Sequence, residues 1–315
     1  MSRVLLIAGD SFVGSYLHAL LERRRHEVIA TTRSGLGPHC DVTDADEVAG
    51  VVAAISPDWI INCAGVTNGG DVEWLKRVHV NGAANLLRAV ARHAPEATVM
   101  LFGSAAEYGD VAATALPIRE DQPCRPRSPY GRSKLAQTQV ARALAARHRL
   151  RVLIARPFNI VGPGLPAHFM PAALAARIKE RNPTRKRGSM SSLADVSASD
   201  IPVANAHATR DWIDVRDVAT ALAALLERDV ATPGRAGIYN IATGVETPVL
   251  ALAAELCRLA GGCRAVAGRA SGGIERSAGD TTRLRRATGW TPRISWQRSV
   301  ADLWHGPVQF PVEIS

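Results

Sequence analysis

The sequence predicts an α/β protein: a doubly wound parallel sheet followed by a smaller, mixed α/β C-terminal domain. Three observations predict it. Short β-branched runs alternate with helix-periodic stretches through the first half of the chain, an order that sets parallel strands side by side with helices on both faces. The first run ends in a glycine-containing turn that opens directly into a helical pattern. After Gly162 the alternation loosens, and apolar β character returns in two short patches. A length of 315 residues suits one large or two tightly joined domains. The expected division is 1–162 plus about 205–245 for the sheet domain, about 163–204 plus 246–306 for the second, and 307–315 as a tail.

The elements follow in order. Arg3 to Ala8 reads as a fully buried strand. Phe12 to Arg25 is a helix with Val13, Tyr16, Leu17, Leu20 and Leu21 on one side. His26 to Thr32 is a second strand, and Asp44 to Ile55 a helix with Thr43 and Asp44 as cap candidates. Trp59 to Cys63 is strand three, Glu73 to His93 helix three and Thr98 to Phe102 strand four. Ser128 to Ala146 is a long helix, and Arg151 to Ala155 strand five. Asn182 to Ser199 is polar and reads as a long surface loop, a solvated insertion or else a lid over an anionic ligand. The two β patches are Trp212 to Val215 and Gly237 to Ile241, with helices at Val215 to Arg228 and Pro248 to Ala260.

Composition narrows the function. Hydrophobic residues are 47% and charged residues 21%, which excludes global disorder. No apolar run reaches the roughly 18–20 residues of a membrane helix, and Arg3–Ile7 is too short for a signal h-region. A soluble cytoplasmic protein that touches neither membrane nor nucleic acid is expected. The formal net charge is +9, but the basic residues are scattered and aromatics are only 5%, so an anionic small molecule fits better than a nucleic acid. Only four of the 38 basic residues are lysines: Lys76, Lys134, Lys179 and Lys186. A lysine at a motif position is therefore informative. The five cysteines, Cys40, Cys63, Cys124, Cys257 and Cys263, show no C-x-x-C spacing, which argues against a zinc site or disulfide framework and for reduced thiols. No metal is expected.

The turn Gly9-Asp10-Ser11-Phe12-Val13-Gly14 ends strand one. Glycines there let the backbone turn and approach a pyrophosphate seated on the following helix N-terminus. With its βαβ setting, the turn predicts a dinucleotide site of the Rossmann type. At the end of strand two an NAD site places a carboxylate for the ribose 2′-hydroxyl; this chain has Thr31-Thr32-Arg33-Ser34. Arg33 suits a 2′-phosphate, so NADP(H) is favoured and NAD(H) is the alternative. Asp41 and Val42 suit the adenine edge, and the small residues Cys63, Ala64 and Gly65 leave room for the cofactor to pass.

Ser104 ends strand four, and Tyr130 and Lys134 lie four apart on a helix, hence on one face. A nearby ammonium and a positive nicotinamide are expected to lower the phenol's pKa from its free value of about 10. Tyr130 would then move a proton while a nicotinamide moves hydride, with Ser104 hydrogen-bonding the same oxygen.

Here a resemblance becomes visible. The segments are Gly103-Ser104-Ala105-Ala106-Glu107-Tyr108-Gly109, Ser128-Pro129-Tyr130-Gly131-Arg132-Ser133-Lys134, Arg156-Pro157-Phe158-Asn159-Ile160-Val161-Gly162-Pro163-Gly164, Arg210-Asp211-Trp212-Ile213-Asp214-Val215-Arg216-Asp217-Val218, Tyr239-Asn240-Ile241 and Gly289-Trp290-Thr291-Pro292. With them the chain resembles the extended short-chain dehydrogenases/reductases, the NAD-dependent epimerase/dehydratase family of nucleotide-sugar enzymes, over nearly its whole length. Within that family it looks most like the GDP-4-keto-6-deoxy-D-mannose reductases. The resemblance implies Ser104, Tyr130 and Lys134 as the catalytic trio, and Asn81 and Pro157 as further cofactor contacts. It implies Ala105 at the substrate, Asn159 on the nicotinamide side or the sugar diphosphate, Arg210 on the diphosphate, and Arg269 or Arg276 as a second grip. It also implies a homodimer through Glu73–His93 and Ser128–Ala146, with Leu135, Val140 and Leu144 on the apolar side. The shortened glycine loop and the 182–199 insertion depart from the pattern.

Fold does not choose the reaction. Dehydration needs an acid and a base beyond the tyrosine, and similar dehydratases carry carboxylates just after the catalytic Ser or Thr. Here those positions are Ala105 and Ala106, with Glu107 one residue too far unless the loop shifts. Net reduction of a 4-keto group is the first expectation and 4-epimerisation the second. A 4,6-dehydratase is third, and a non-catalytic dinucleotide-binding regulator last.

Overall fold

The computed structural model describes residues 1–32, 37–67, 71–181, 200–270 and 272–306. In chain order the first strands and helices are β1 (Arg3–Ile7), α1 (Phe12–Arg23), β2 (Glu27–Thr31), α2 (Ala45–Ile55), β3 (Trp59–Asn62) and α3 (Val72–Leu75). α3 runs through a π-helical segment, Lys76–Asn81, into α4 (Gly82–His93). Then come β4 (Thr98–Phe102), α5 (Pro129–His148), β5 (Arg151–Pro157), β6 (Asn159–Val161) and α6 (Met170–Arg181). The remainder is β7 (Asp200–Val203), β8 (Thr209–Arg210), β9 (Trp212–Asp214), α7 (Val215–Glu227), β10 (Arg235–Ile241), β11 (Thr247–Pro248), α8 (Val249–Ala260), β12 (Arg264–Ala267), α9 (Thr282–Thr288) and α10 (Trp296–His305).

Six strands form one parallel sheet in the order β10-β5-β4-β3-β1-β2. β1 shows why the sequence reads as it does. Val4 and Leu6 enter the core shared with α1 and α7, through Leu17, Leu21, Leu222 and Leu226. Leu5 and Ile7 enter the opposite core with Val48, Val52, Leu86 and Val90. A strand that alternates faces and is covered on both must be apolar throughout. A third core, including Ile178, Ile201, Leu252, Leu256 and Val300, builds the C-terminal unit. That unit is fastened to the sheet by Arg216, which pairs at 2.7 Å with both Asp214 and Asp302, and by Tyr16, whose hydroxyl donates to the Pro163 carbonyl at 2.8 Å.

The helix starts follow side-chain chemistry. Asp44 caps α2 by accepting from the amides of Asp46 and Glu47, and Ser128 caps α5 ahead of Pro129 in its first turn. The short strands β6, β7, β8, β11 and β12 have no counterpart in the sequence reading, and the structure departs from it in three further places. The helix expected over Glu73–His93 contains the π turn. α6, α9 and α10 were not anticipated, because the stretch after Gly162 shows no sustained period. Leu284 of α9, with Ala287 and Trp290, packs in the core of α1 and α7 rather than in the C-terminal unit. Arg33 and the 182–199 insertion lie outside the described residues. Among the described residues no helix is long and apolar enough to cross a membrane, and no group of three or more His, Cys, Asp or Glu could hold a metal.

Candidate active site

The C-terminal ends of β1, β3 and β4 and the start of α5 meet at one edge of the sheet. At β1 the sharp turn falls on Ala8, with φ 55°, and not on a glycine. The glycines supply room instead. A Cβ on Gly14 would lie 2.5 Å from the Ala8 carbonyl oxygen, and one on Gly9 2.7 Å from Ala30 Cβ. Ser11 caps α1, its Oγ accepting from the Gly14 amide at 3.3 Å. Phe12 and Val13 pack into the cores of the C-terminal unit and the sheet respectively. A tight turn beneath the start of a 12-residue helix fits a pyrophosphate.

Beyond β2, Asp41 accepts from the Thr43 amide. Val42 is buried, and its carbonyl accepts from Asn85, so its side chain serves the core. After β3, Cys63 and Ala64 are half-buried and Gly65 exposed. A Cβ on Gly65 would stand 3.6 Å from His79 Nε2 and 3.8 Å from Lys134 Nζ. A side chain there would occupy the space in front of the lysine, which a cofactor passing between them needs. The turn and this open glycine together fit a dinucleotide. Asn81 is exposed at the end of the π segment, and Pro157 is half-buried at the end of β5.

Ser104 and Tyr130 come together: the Ser104 side chain hydrogen-bonds the phenol and lowers its pKa. Burial nevertheless dominates and pushes Tyr130 up to about 12, with Glu107 adding to the rise. The protein surroundings alone thus do not produce the lowering expected from the ammonium and a positive nicotinamide together. Lys134 is spoken for elsewhere. Its Nζ donates to the Phe102 carbonyl at 2.9 Å and to Gln137 Oε1 at 3.1 Å, and burial pushes its own value down to about 8. An ammonium has three N–H donors, so one remains for the side where Gly65 opens.

Glu107 settles the question of the shifted loop. It is wholly buried and accepts from the Ser104 amide (2.9 Å), Thr138 Oγ1 (2.9 Å), and Arg156 Nε (3.0 Å) and Nη2 (2.6 Å). A carboxylate so completely engaged is not a free base, and Ala105 and Ala106 beside it offer no protons.

Asn159 lies in β6, with its amide donating to the Asp211 carbonyl. Arg210 is half-buried, and burial lowers its value. Its Nη1 donates to the Thr209 carbonyl, and among the described residues it has no carboxylate partner. Arg276, by contrast, is bidentate to Glu246 at 2.9 and 2.6 Å, and Arg269 is exposed. Arg210 is thus the better placed of the three for a diphosphate. Two contacts escaped sequence reasoning. Thr67 Oγ1 and His168 Nε2 approach to 3.0 Å and join the loop after β3 to the loop before α6. His79 is buried between that same loop and α5. A single histidine in a helical pattern carries no local signal of either partner.

A family model described as the NAD dependent epimerase/dehydratase family matches residues 4–242. The chain is 30% identical to the GDP-6-deoxy-D-mannose reductase of Pseudomonas aeruginosa over 95% of each. It is 28% identical to the dTDP-6-deoxy-L-talose 4-dehydrogenase (NAD(P)(+)) of Kitasatospora kifunensis, over 99% of this chain and 97% of that one. The structure of RMD from Pseudomonas aeruginosa complexed with NADPH is similar with a TM-score of 0.81, 28% identity and 97% coverage of both chains.

Proposed function

Since the chain belongs to the NAD-dependent epimerase/dehydratase family, we propose that it reduces the 4-keto group of a GDP-linked 4-keto-6-deoxyhexose with NADPH. The observation that carries this reading is the set Ser104, Tyr130 and Lys134 beside Ala105, Ala106 and a locked Glu107. It holds one proton donor for a carbonyl and none for eliminating water. What a nicotinamide supplies when bound is hydride for the carbonyl carbon.

Tyr130 donates its phenolic proton to the carbonyl oxygen. A phenol held up near 12 stays protonated at neutral pH and serves as the acid that a reduction needs. Ser104 hydrogen-bonds the same oxygen and fixes it against the phenol. Lys134 keeps a positive charge near the developing oxyanion and presents its third N–H toward Gly65. Gly9, Gly14 and Ser11 hold the pyrophosphate, and Arg210 holds the sugar-nucleotide diphosphate with Asn159 nearby. For NADPH over NADH the support is the missing acid after β2, the presence of Arg33 in the sequence, and the NADPH in the similar Pseudomonas structure. We also propose a homodimer through α4 and α5. Leu144 packs into its own core, while Leu135 and Val140 stay partly exposed and Val72, at the start of α3, is 59% exposed.

Incubation with GDP-4-keto-6-deoxymannose and NADPH is expected to consume one reduced cofactor per sugar reduced, followed by absorbance and by mass analysis of the sugar. Isomerised sugar with no net consumption would instead make the chain an epimerase, the reading second in order. Arg210→Ala is expected to raise the KM for the nucleotide sugar about tenfold or more with a smaller change in kcat. An unchanged KM would remove Arg210 from the diphosphate site.

A further inference from the structure

We propose that His79 is a positioning residue of this reaction, fastening the loop after β3 to the catalytic turn of α5 through Val66 and Ser133. The proposal rests on the reductase reading and deepens it.

The Val66 amide donates to His79 Nε2 at 3.2 Å, so that nitrogen carries a lone pair. His79 Nδ1 faces Ser133 Oγ at 2.8 Å. The Ser133 hydroxyl has one proton and gives it to the Tyr130 carbonyl at 2.8 Å, so it accepts from Nδ1–H. Donor accounting therefore assigns the Nδ1–H tautomer. The imidazole edge meets the Tyr130 ring at 5.7 Å between centroids and 80° between planes. Its Nε2 and the Lys134 ammonium converge on the open side of Gly65. Burial, helped by the Lys134 charge, pushes His79 down to about 3. The ring thus stays neutral beside the lysine at working pH.

The π segment Lys76–Asn81 surrounds this residue. A π turn inserts one residue into the helical register and so re-aims a side chain without ending the helix. Without the imidazole, the loop that borders Gly65 and the turn that carries Tyr130 would be free to separate.

The test uses the full chain with GDP-4-keto-6-deoxymannose and NADPH. His79→Leu is expected to lower kcat about 10- to 100-fold with the sugar's KM moved less than about threefold, the pattern of a misplaced acid rather than of lost binding. His79→Asn keeps an N–H near the Nδ1 position and is expected to recover most of the kcat. Ser133→Ala removes the acceptor without touching the ring, so it serves if His79→Leu does not fold, with an expected loss of about threefold to tenfold. An asparagine variant as slow as the leucine one, or both His79→Leu and Ser133→Ala within about twofold of the parent, would overturn the proposal. A parent chain with no turnover would fail the reductase reading alone. His79 would then be judged by its imidazole ¹⁵N shifts: a proton on Nδ1 down to about pH 5 is expected, and an Nε2–H tautomer, or a cation near pH 6, refutes the arrangement.

Discussion

Tyr130→Phe is expected to lower kcat by about 10²- to 10⁴-fold, the range a positioned general acid contributes, while NADPH binding, followed by its fluorescence, stays close to that of the parent. The ring remains to pack against His79, so the variant removes one hydroxyl and its bond to Ser104 and little else. The expectation follows from where the proton sits. Burial holds the phenol protonated, and neither Ala105 nor Ala106 can replace it. Glu107 has its acceptor sites filled by Ser104, Thr138 and Arg156. A variant that kept a tenth or more of the activity would show that the proton comes from another group or from water, and the site assignment would fall with it.

Glu107→Ala is expected to be the most destabilising single change in the site region, by about 3–5 kcal/mol, read as a shift of the urea midpoint. Arg156 is buried, and its guanidinium lies 4.7 Å over the Tyr108 ring. Removing the carboxylate would strand that cation away from water. Tyr108 in turn donates to Asn240 Oδ1 at 2.7 Å, and the Asn240 side-chain amide donates to the Ile118 carbonyl at 2.8 Å. The disturbance would therefore spread from the loop after β4 to β10. Activity should also fall, because the Ser104 amide loses its acceptor. A double replacement, Glu107→Leu with Arg156→Met, is expected to be more stable than Glu107→Ala alone, since neither charge is left without a partner. An alanine variant as stable as the parent would mean that water reaches Arg156.

The site was legible in the sequence where its members are close in the chain. Tyr130 and Lys134 share a helix face through a spacing of four. Ser104 stands at the end of a strand recognisable by its own apolar run. The cap Asp44 announces the start of α2. The sequence reading failed where a local rule was overruled. The turn after β1 takes its left-handed residue from Ala8, where glycine would be expected, while Gly9 against Ala30 and Gly14 against the Ala8 carbonyl are glycines because those positions have no room for a side chain. The lowering expected of the phenol rests on the lysine and a positive nicotinamide together, and its protein surroundings alone raise it. Desolvation outweighs the Ser104 hydrogen bond, and the ammonium is turned toward Phe102 and Gln137.

From its residues alone, this chain determines a parallel α/β sheet, a dinucleotide turn and a tyrosine–lysine pair, because periodicity, caps and short spacings are properties of neighbours along the backbone. The tertiary structure decided the rest: the ties of Glu107 to Arg156 across 49 residues, of His79 to Ser133 across 54 and of Tyr108 to Asn240 across 132. Such partners are chosen by the way helices and strands stack, and a polar side chain bound for burial looks the same in sequence as one bound for water until its partner is in place.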